Sequence, residues 1–239
     1  MSQIFNPATY RFFARLHLWL GFAVGLQVLI WLVSGVFMVL FPIEQVRGEH
    51  LRAPIVEQDL QWPEQALTLQ HILNAPSAEI YSARAEYILD RAVWRLETRE
   101  GPKLIDAISG ADLATLDEAF IRRIALARYA GSGELISLSL VDTPPREAFL
   151  DKPAWHAEFG PDDPASFWIN GQTGDVRAVR TWLWRAFDFA WGLHIMDWHT
   201  RENFNSWWIK MTSIIALIFA LAGSILAGLR IARMVRRTS

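Results

Sequence analysis

Two runs without a charge constrain this chain more than anything else in it. From Leu18 to Phe41 there are 24 consecutive uncharged residues, and from Met211 to Leu229 another 19. At 1.5 Å of rise per residue, either run is long enough as a helix to cross a hydrocarbon core of about 30 Å. The runs predict two membrane helices, over 18–41 and 207–229. Between them lies a region rich enough in polar residues and turn signals to form a domain.

The charges predict an orientation. All 25 Asp and Glu lie between Glu44 and Glu202, against 16 of the 23 Lys and Arg, so that interval carries a net charge of −9. The remaining cations are Arg11, Arg15, Lys210, Arg230, Arg233, Arg236 and Arg237. All but Lys210 flank the far ends of the two apolar runs. By the positive-inside rule both termini are expected in the cytoplasm, and the acidic region outside, in the periplasm of a bacterial inner membrane. The first run is too long for a signal-peptide core, and Phe41-Pro42-Ile43-Glu44 is a poor cleavage site, so a retained anchor is expected. The absence of cysteine excludes disulfides, Cys-ligated zinc, thioether-attached haem and iron–sulfur clusters from these residues. Basic residues of the central region are dispersed among more numerous acids, which argues against nucleic-acid binding.

Along the chain, Asn6-Pro7 reads as a helix start leading into a helix to Phe41, with residues 1–17 at the cytoplasmic interface. The interval 43–180 reads as α+β. A short helix is expected over 64–74, then strands at 79–89, 92–100 and 103–109, split by Gly101-Pro102 and Ser109-Gly110 turns. Asp117 caps a second helix ended by Gly131, and four further strand-like runs follow up to Arg180. Helix, strands, helix, strands is a weak internal duplication, neither half of which would bury much core alone. Over 181–206, Trp184, Phe187, Trp191, His194 and Trp198 recur at spacings of 3 and 4, one aromatic stripe on a helix. Six of the 12 Trp lie between Trp182 and Trp208, as in the aromatic belt of a membrane interface. Residues 230–239 form a basic tail.

Three histidines are candidate ligands. His17 shares a helix face with Gly21 and Gly25, which admits a flat macrocycle, with imidazole as an axial ligand for haem iron. The same residues also suit Gly-x-x-x-Gly helix pairing beside an interfacial histidine. His194 lies within the aromatic stripe and is either a ligand or an aromatic-belt histidine bonded to a carbonyl or headgroup. His199, among Asp197, Arg201 and Glu202, is the more solvated candidate. Five residues apart, His194 and His199 cannot clamp one metal from a single straight helix. Ala216, Ala220, Ser224 and Gly228 predict a close-packing face on the second apolar helix, which carries no histidine. A haem held by His17 would therefore need its second ligand from another copy or subunit, which favours a homodimer. His50, His71 and His156 read as structural or surface residues. No hydrolase triad, zincin motif, P-loop or dinucleotide-binding pattern is present.

These residues together resemble the PepSY-associated transmembrane family. The resemblance rests on His17-Leu18-Trp19-Leu20-Gly21 with Ser34-Gly35 in the first helix, on Gly192-Leu193-His194-Ile195-Met196-Asp197-Trp198 before the last, and on Asp163-Pro164 through Asn170-Gly171-Gln172-Thr173-Gly174-Asp175-Val176. Where the family carries Arg three places before the first histidine, this chain has Ala14, with Arg15 beside it. The resemblance implies an inner-membrane protein in which two membrane helices flank a periplasmic PepSY-like domain of two helix-plus-antiparallel-strand units. It further implies haem b on His17 and His194, with His199 a third candidate, and reduction of ferric iron or a ferric siderophore outside. Electrons would come from a quinol or a cytoplasmic reductase. Two helices rather than four suggest a homodimer in the bilayer. The rival reading is a membrane-anchored binding module for a peptide, protease or transporter partner, or a non-catalytic subunit of a metal-uptake complex.

Overall fold

A 34-residue helix, α1 (Pro7–Leu40), opens the described chain. The computed structural model describes residues 7–55, 61–73 and 79–238, apart from the side chains of residues 7–14, 16–17, 222, 225–230, 232–233 and 236–238. The expected cap at Asn6 and the side chain of His17 thus lie outside the described residues. The α1 stretch Leu18–Leu40 is long and apolar enough to cross a membrane. The helix stops before Pro42, whose carbonyl accepts from the N–H groups of Gln45 and Val46 and opens a single turn, α2 (Ile43–Val46).

The chain divides into two compact units, one made of residues up to Phe41 and from Ala186 onward, the other of Pro42–Arg185. In the second unit, α3 (Leu69–Leu73) precedes an antiparallel sheet of β1 (Ile80–Ile88), β2 (Arg91–Thr98) and β3 (Gly101–Asp106). Next come α4 (Glu118–Arg128) and a second antiparallel sheet of β4 (Glu134–Val141), β5 (Ala154–Gly160), β6 (Ala165–Asn170) and β7 (Val176–Arg180), in that order. The mixed α+β class and the two helix-then-strands blocks match the expected order of elements.

Local details differ from expectation for identifiable reasons. The helix expected over 64–74 is only the five residues of α3. Leu67 is captured by the sheet instead: its N–H donates to Ala107 O at 2.7 Å and its carbonyl accepts from Trp94 Nε1 at 3.1 Å. A helix can therefore begin only after Thr68, whose Oγ1 accepts from His71 N–H. Asn74 and Pro76, the expected end, lie outside the described residues. The β2–β3 turn is Arg99-Glu100 rather than Gly101-Pro102. Gly101, at φ +116°, already pairs with Thr98, and Pro102 opposes Glu97. Proline is tolerated there because β3 is an edge strand, where one N–H is not needed by a neighbour.

Asp117 caps α4 as expected, its carboxylate accepting from Phe120 N–H at 2.8 Å. The cap aims the apolar face of α4 at the strands. Phe120, Ile121 and Ile124 join Val93 and Leu104 of the first sheet with Phe167, Ile169 and Val179 of the second in one core. The two helix-then-strands blocks thus share a core, and each large side chain fully buried in it contributes about 1.5–3 kcal/mol. A polar clasp links the two sheets. Arg95 on β2 donates to both carboxylate oxygens of Asp175, at 2.9 and 3.1 Å. Asp175 is held in the β6–β7 turn by Thr173 Oγ1 at 2.8 Å, while Asn170 Oδ1 accepts from the N–H groups of Gln172 and Thr173.

Two further helices complete the chain: α5 (Trp182–Ile195) and α6 (Trp207–Thr238). The boundary between the units falls inside α5, beyond the expected limit at 180, because Arg185 is clamped to Glu147 by bonds of 3.1 and 3.0 Å. Within α6 the described apolar stretch is Trp207–Leu221, shorter than a membrane span. In the helical unit α6 meets α1 at Gly21, where a side chain would begin 3.5 Å from the Phe219 ring. Ala220 and Ser224 of the expected small-residue face are exposed.

Candidate functional site

The chemistry-bearing groups of the helical unit gather where α5 ends. Aromatic spacing carries α5 through Trp184, Phe187, Trp191 and His194, but the helix stops at Ile195, short of the expected stripe member Trp198. Met196 adopts φ +54°; its N–H donates to Leu193 O, and Asp197 N–H donates to Gly192 O at 3.1 Å. This is the left-handed closure that ends many helices, with methionine where glycine is usual. Trp198 consequently lies outside the helix and is 54% exposed.

Asp197 organises the loop that follows. Its carboxylate accepts from the backbone N–H groups of His199, Thr200, Glu202 and Asn203, and from the Thr200 hydroxyl. The Thr200 hydroxyl and these N–H groups hold the Asp197 carboxyl well below the usual carboxylate range. The loop then folds back on α5. Arg201 pairs with Asp188, which is nearly buried, and the Arg201 carbonyl accepts from Trp191 Nε1 at 3.0 Å. Gly192 leaves room for this return, since a side chain there would begin 3.1 Å from Arg201 Nε.

His194 is the candidate ligand with a defined environment. It is half-buried and packs against one turn of α1. Its Nδ1 lies 3.0 Å from the hydroxyl of Ser34, a residue only 3% exposed. Trp31 Nε1 donates to the His194 carbonyl at 2.8 Å, and Gly35 admits the ring edge, with Cε1 3.6 Å from where a side chain would start. Among the described residues, no hydrogen-bond partner of His194 Nε2 is present. Residues 160 positions apart thus meet at the end of the apolar stretch of α1.

His199 stands apart from this arrangement. It is exposed and lines a shallow cleft of about 470 Å³ with Met196, Trp198, Asn203, Ser206 and Trp208, a lining that does not include His194. Among the described residues there is no group of three or more His, Cys, Asp and Glu able to hold a metal ion. Of the glycines sharing the His17 face, Gly21 is taken by Phe219 of α6. Around the position of a side chain on Gly25 there is open space among the described residues. A single imidazole with a free ring nitrogen fits an axial ligand of haem. A second axial ligand is not supplied at His194 by the described residues.

Outside the helical unit, His50 and His71 are exposed. His156 on β5 is stacked on Trp168 with ring centres 4.3 Å apart, and burial pushes its pKa down. Its Nε2 is buried without a hydrogen bond among the described residues and lies 3.8 Å from Glu158 Oε1. Sequence patterns single out neither Asp188 nor Trp31, and Arg201 figures in them only as a neighbour of His199. An acid inside an aromatic stripe, as at Asp188, was the available signal for a fold-back contact. Comparison of the chain with family models, curated proteins and solved structures finds no match to any of them.

Proposed function

We propose that the chain is an inner-membrane electron-transfer protein of the PepSY-associated transmembrane type, with haem b held by His194 and a second haem by His17. The observation that carries this reading is His194 itself, anchored through Nδ1 and its carbonyl to Ser34 and Trp31 while Nε2 has no partner among the described residues. An orienting bond on one ring nitrogen and a free lone pair on the other is how protein imidazoles are presented to metals. Membrane insertion is supported by the exposure of apolar side chains around α1, among them Leu18, Trp19, Phe22, Leu29, Leu32 and Val39. A helix apolar on all sides needs either a protein core or a bilayer. On this reading α6 is the second span, Gly192–Ser206 lies at the outer interface, and both basic ends face the cytoplasm.

When bound, haem b supplies a one-electron store between a donor and an acceptor. The donor is a quinol or a cytoplasmic reductant, and the acceptor is ferric iron or a ferric siderophore outside. Two Fe(III) become two Fe(II) for each quinol oxidised to quinone with release of two protons. The acidic outer region attracts cations and cationic complexes, and Fe(II) leaves hard oxygen ligands more readily than Fe(III). A second chain would supply the axial ligands that the described residues do not, which makes a homodimer part of the proposal.

A second reading is favoured by one observation: Gly192 and Asp197, in the stretch that carries the resemblance, have structural employment in the α5 turn. The PepSY-like unit would then be a binding module for a peptide, protease or transporter partner, and the histidines incidental. The visible spectrum of detergent-purified chain, oxidised and then reduced with dithionite, separates the two. A Soret band with sharp α and β bands on reduction supports haem b. A colourless protein from haem-replete cells removes the redox reading.

A further inference from the structure

We infer that Ser34 is a positioning residue for His194: it fixes the imidazole as the Nδ1–H tautomer and so presents Nε2 as a lone pair for an electrophile. The haem consequence rests on the proposed function; the tautomer does not. The Ser34 hydroxyl has one proton and three neighbours within reach. These are the carbonyl of Ile30 at 2.8 Å, the carbonyl of Trp31 at 3.2 Å and His194 Nδ1 at 3.0 Å. Carbonyls only accept, and a helical serine characteristically bonds back to its i−4 carbonyl, so the hydroxyl proton is assigned to Ile30 O, the nearest of the three. The 3.0 Å contact is then a hydrogen bond only if Nδ1 carries the proton and Ser34 Oγ accepts it. A neutral imidazole has a single N–H, so Nε2 is left unprotonated.

The surroundings keep this arrangement in place. Ser34 is buried, which keeps water from competing for its oxygen. Trp31 ties down the His194 backbone, and Gly35 removes the side chain that would push the ring away. Three of five consecutive residues of α1 therefore act on one histidine. Met196, in its left-handed conformation directly after Ile195, ends α5 one residue beyond His194 and keeps the ring in the last turn of the helix. A bond from Nδ1–H to an oxygen also raises the electron-donating power of Nε2. Toward haem iron that favours the ferric form and lowers the reduction potential.

The test uses the full chain in detergent, labelled with 15N at histidine, as wild type, Ser34→Ala and Ser34→Thr. In haem-free protein, long-range 15N–1H spectra are expected to show His194 as the Nδ1–H tautomer in wild type. Ser34→Ala is expected to lose that preference and Ser34→Thr, which keeps the hydroxyl, to retain it. An Nε2–H tautomer in wild type, or no change in Ser34→Ala, overturns the inference. In haem-loaded protein, Ser34→Ala is expected to hold haem about ten- to a hundredfold less tightly and at a raised potential, with Ser34→Thr close to wild type. Wild type that binds no haem yet shows the Nδ1–H tautomer overturns the haem reading alone and upholds the role of Ser34.

Discussion

Arg201 lies against Gly192 so closely that a side chain on the glycine would begin 3.1 Å from the guanidinium Nε and 3.2 Å from the stem. The contact joins the last turn of α5 to the loop that leads into α6. Arg201 has little freedom to yield, because Asp188 takes its guanidinium and Trp191 takes its carbonyl.

Gly192→Ala should therefore destabilise the wild-type chain, although alanine is the better helix former by about 1 kcal/mol. In an Arg201→Ala background the clash is gone, and the same substitution should stabilise by about 1 kcal/mol. Thermal unfolding in detergent of the four chains of this cycle checks the change of sign.

Asp197 holds the loop by accepting from four backbone N–H groups and one hydroxyl. Asp197→Ala should leave residues 198–205 open to proteolysis and fast amide exchange, while Asp197→Asn, which keeps one acceptor oxygen, should be intermediate. The depressed pKa sets the direction with pH: the stabilisation is present above the ordinary carboxylate range and is lost as pH falls through the lower folded value. Amide protection in this loop, measured against the intrinsic exchange rate at each pH, should accordingly fall on acidification in wild type and be insensitive to it in Asp197→Ala.

Gly174 tests the turn that clasps the two sheets. It sits at φ +70°, and a side chain there would begin 2.8 Å from Ile124 Cδ1 and 3.1 Å from Leu116 Cδ1. Gly174→Ala combines a left-handed conformation, costing about 1–2 kcal/mol, with overpacking of the α4 face, costing about 1–3 kcal/mol. Denaturant unfolding should show a loss of about 2 kcal/mol or more, carried by the sheet unit.

His156 should make that unit sensitive to mild acid. Burial lowers its folded pKa below the unfolded value, with the nearby Glu158 and Glu147 opposing the shift and Arg185 adding to it. Between the two values the unfolded chain binds the extra proton, so stability is full above the unfolded pKa of about 6.5 and falls as pH drops toward the folded value. His156→Phe, which can keep the stack on Trp168, should flatten the stability profile between pH 7 and 5. A profile unchanged by the substitution would sink this assignment.

Much of the architecture was legible in the sequence because it depends on neighbours along the chain. The Leu18–Leu40 run, the Asp117 cap and the strand periods of β1, β2 and β4–β7 are local patterns, and each reappears as an element. The limits of α3 and of the β2–β3 turn were not legible, since they depend on Leu67 bonding to Ala107 and Trp94, and on Gly101 pairing while Pro102 sits at an edge.

The sequence by itself determined that an apolar helix is followed by an acidic α+β region and an aromatic helix bearing His194. Periodicity reports which residues share a face of one element, and composition reports which elements are apolar. Neither reports which faces meet. Only the tertiary structure decided that α5 ends at Ile195, because that end depends on the loop gathered by Asp197 and returned by Arg201. Only it decided that Ser34 and Trp31 receive His194, because residues 160 positions apart are brought together by packing of whole helices, on which local pattern is silent.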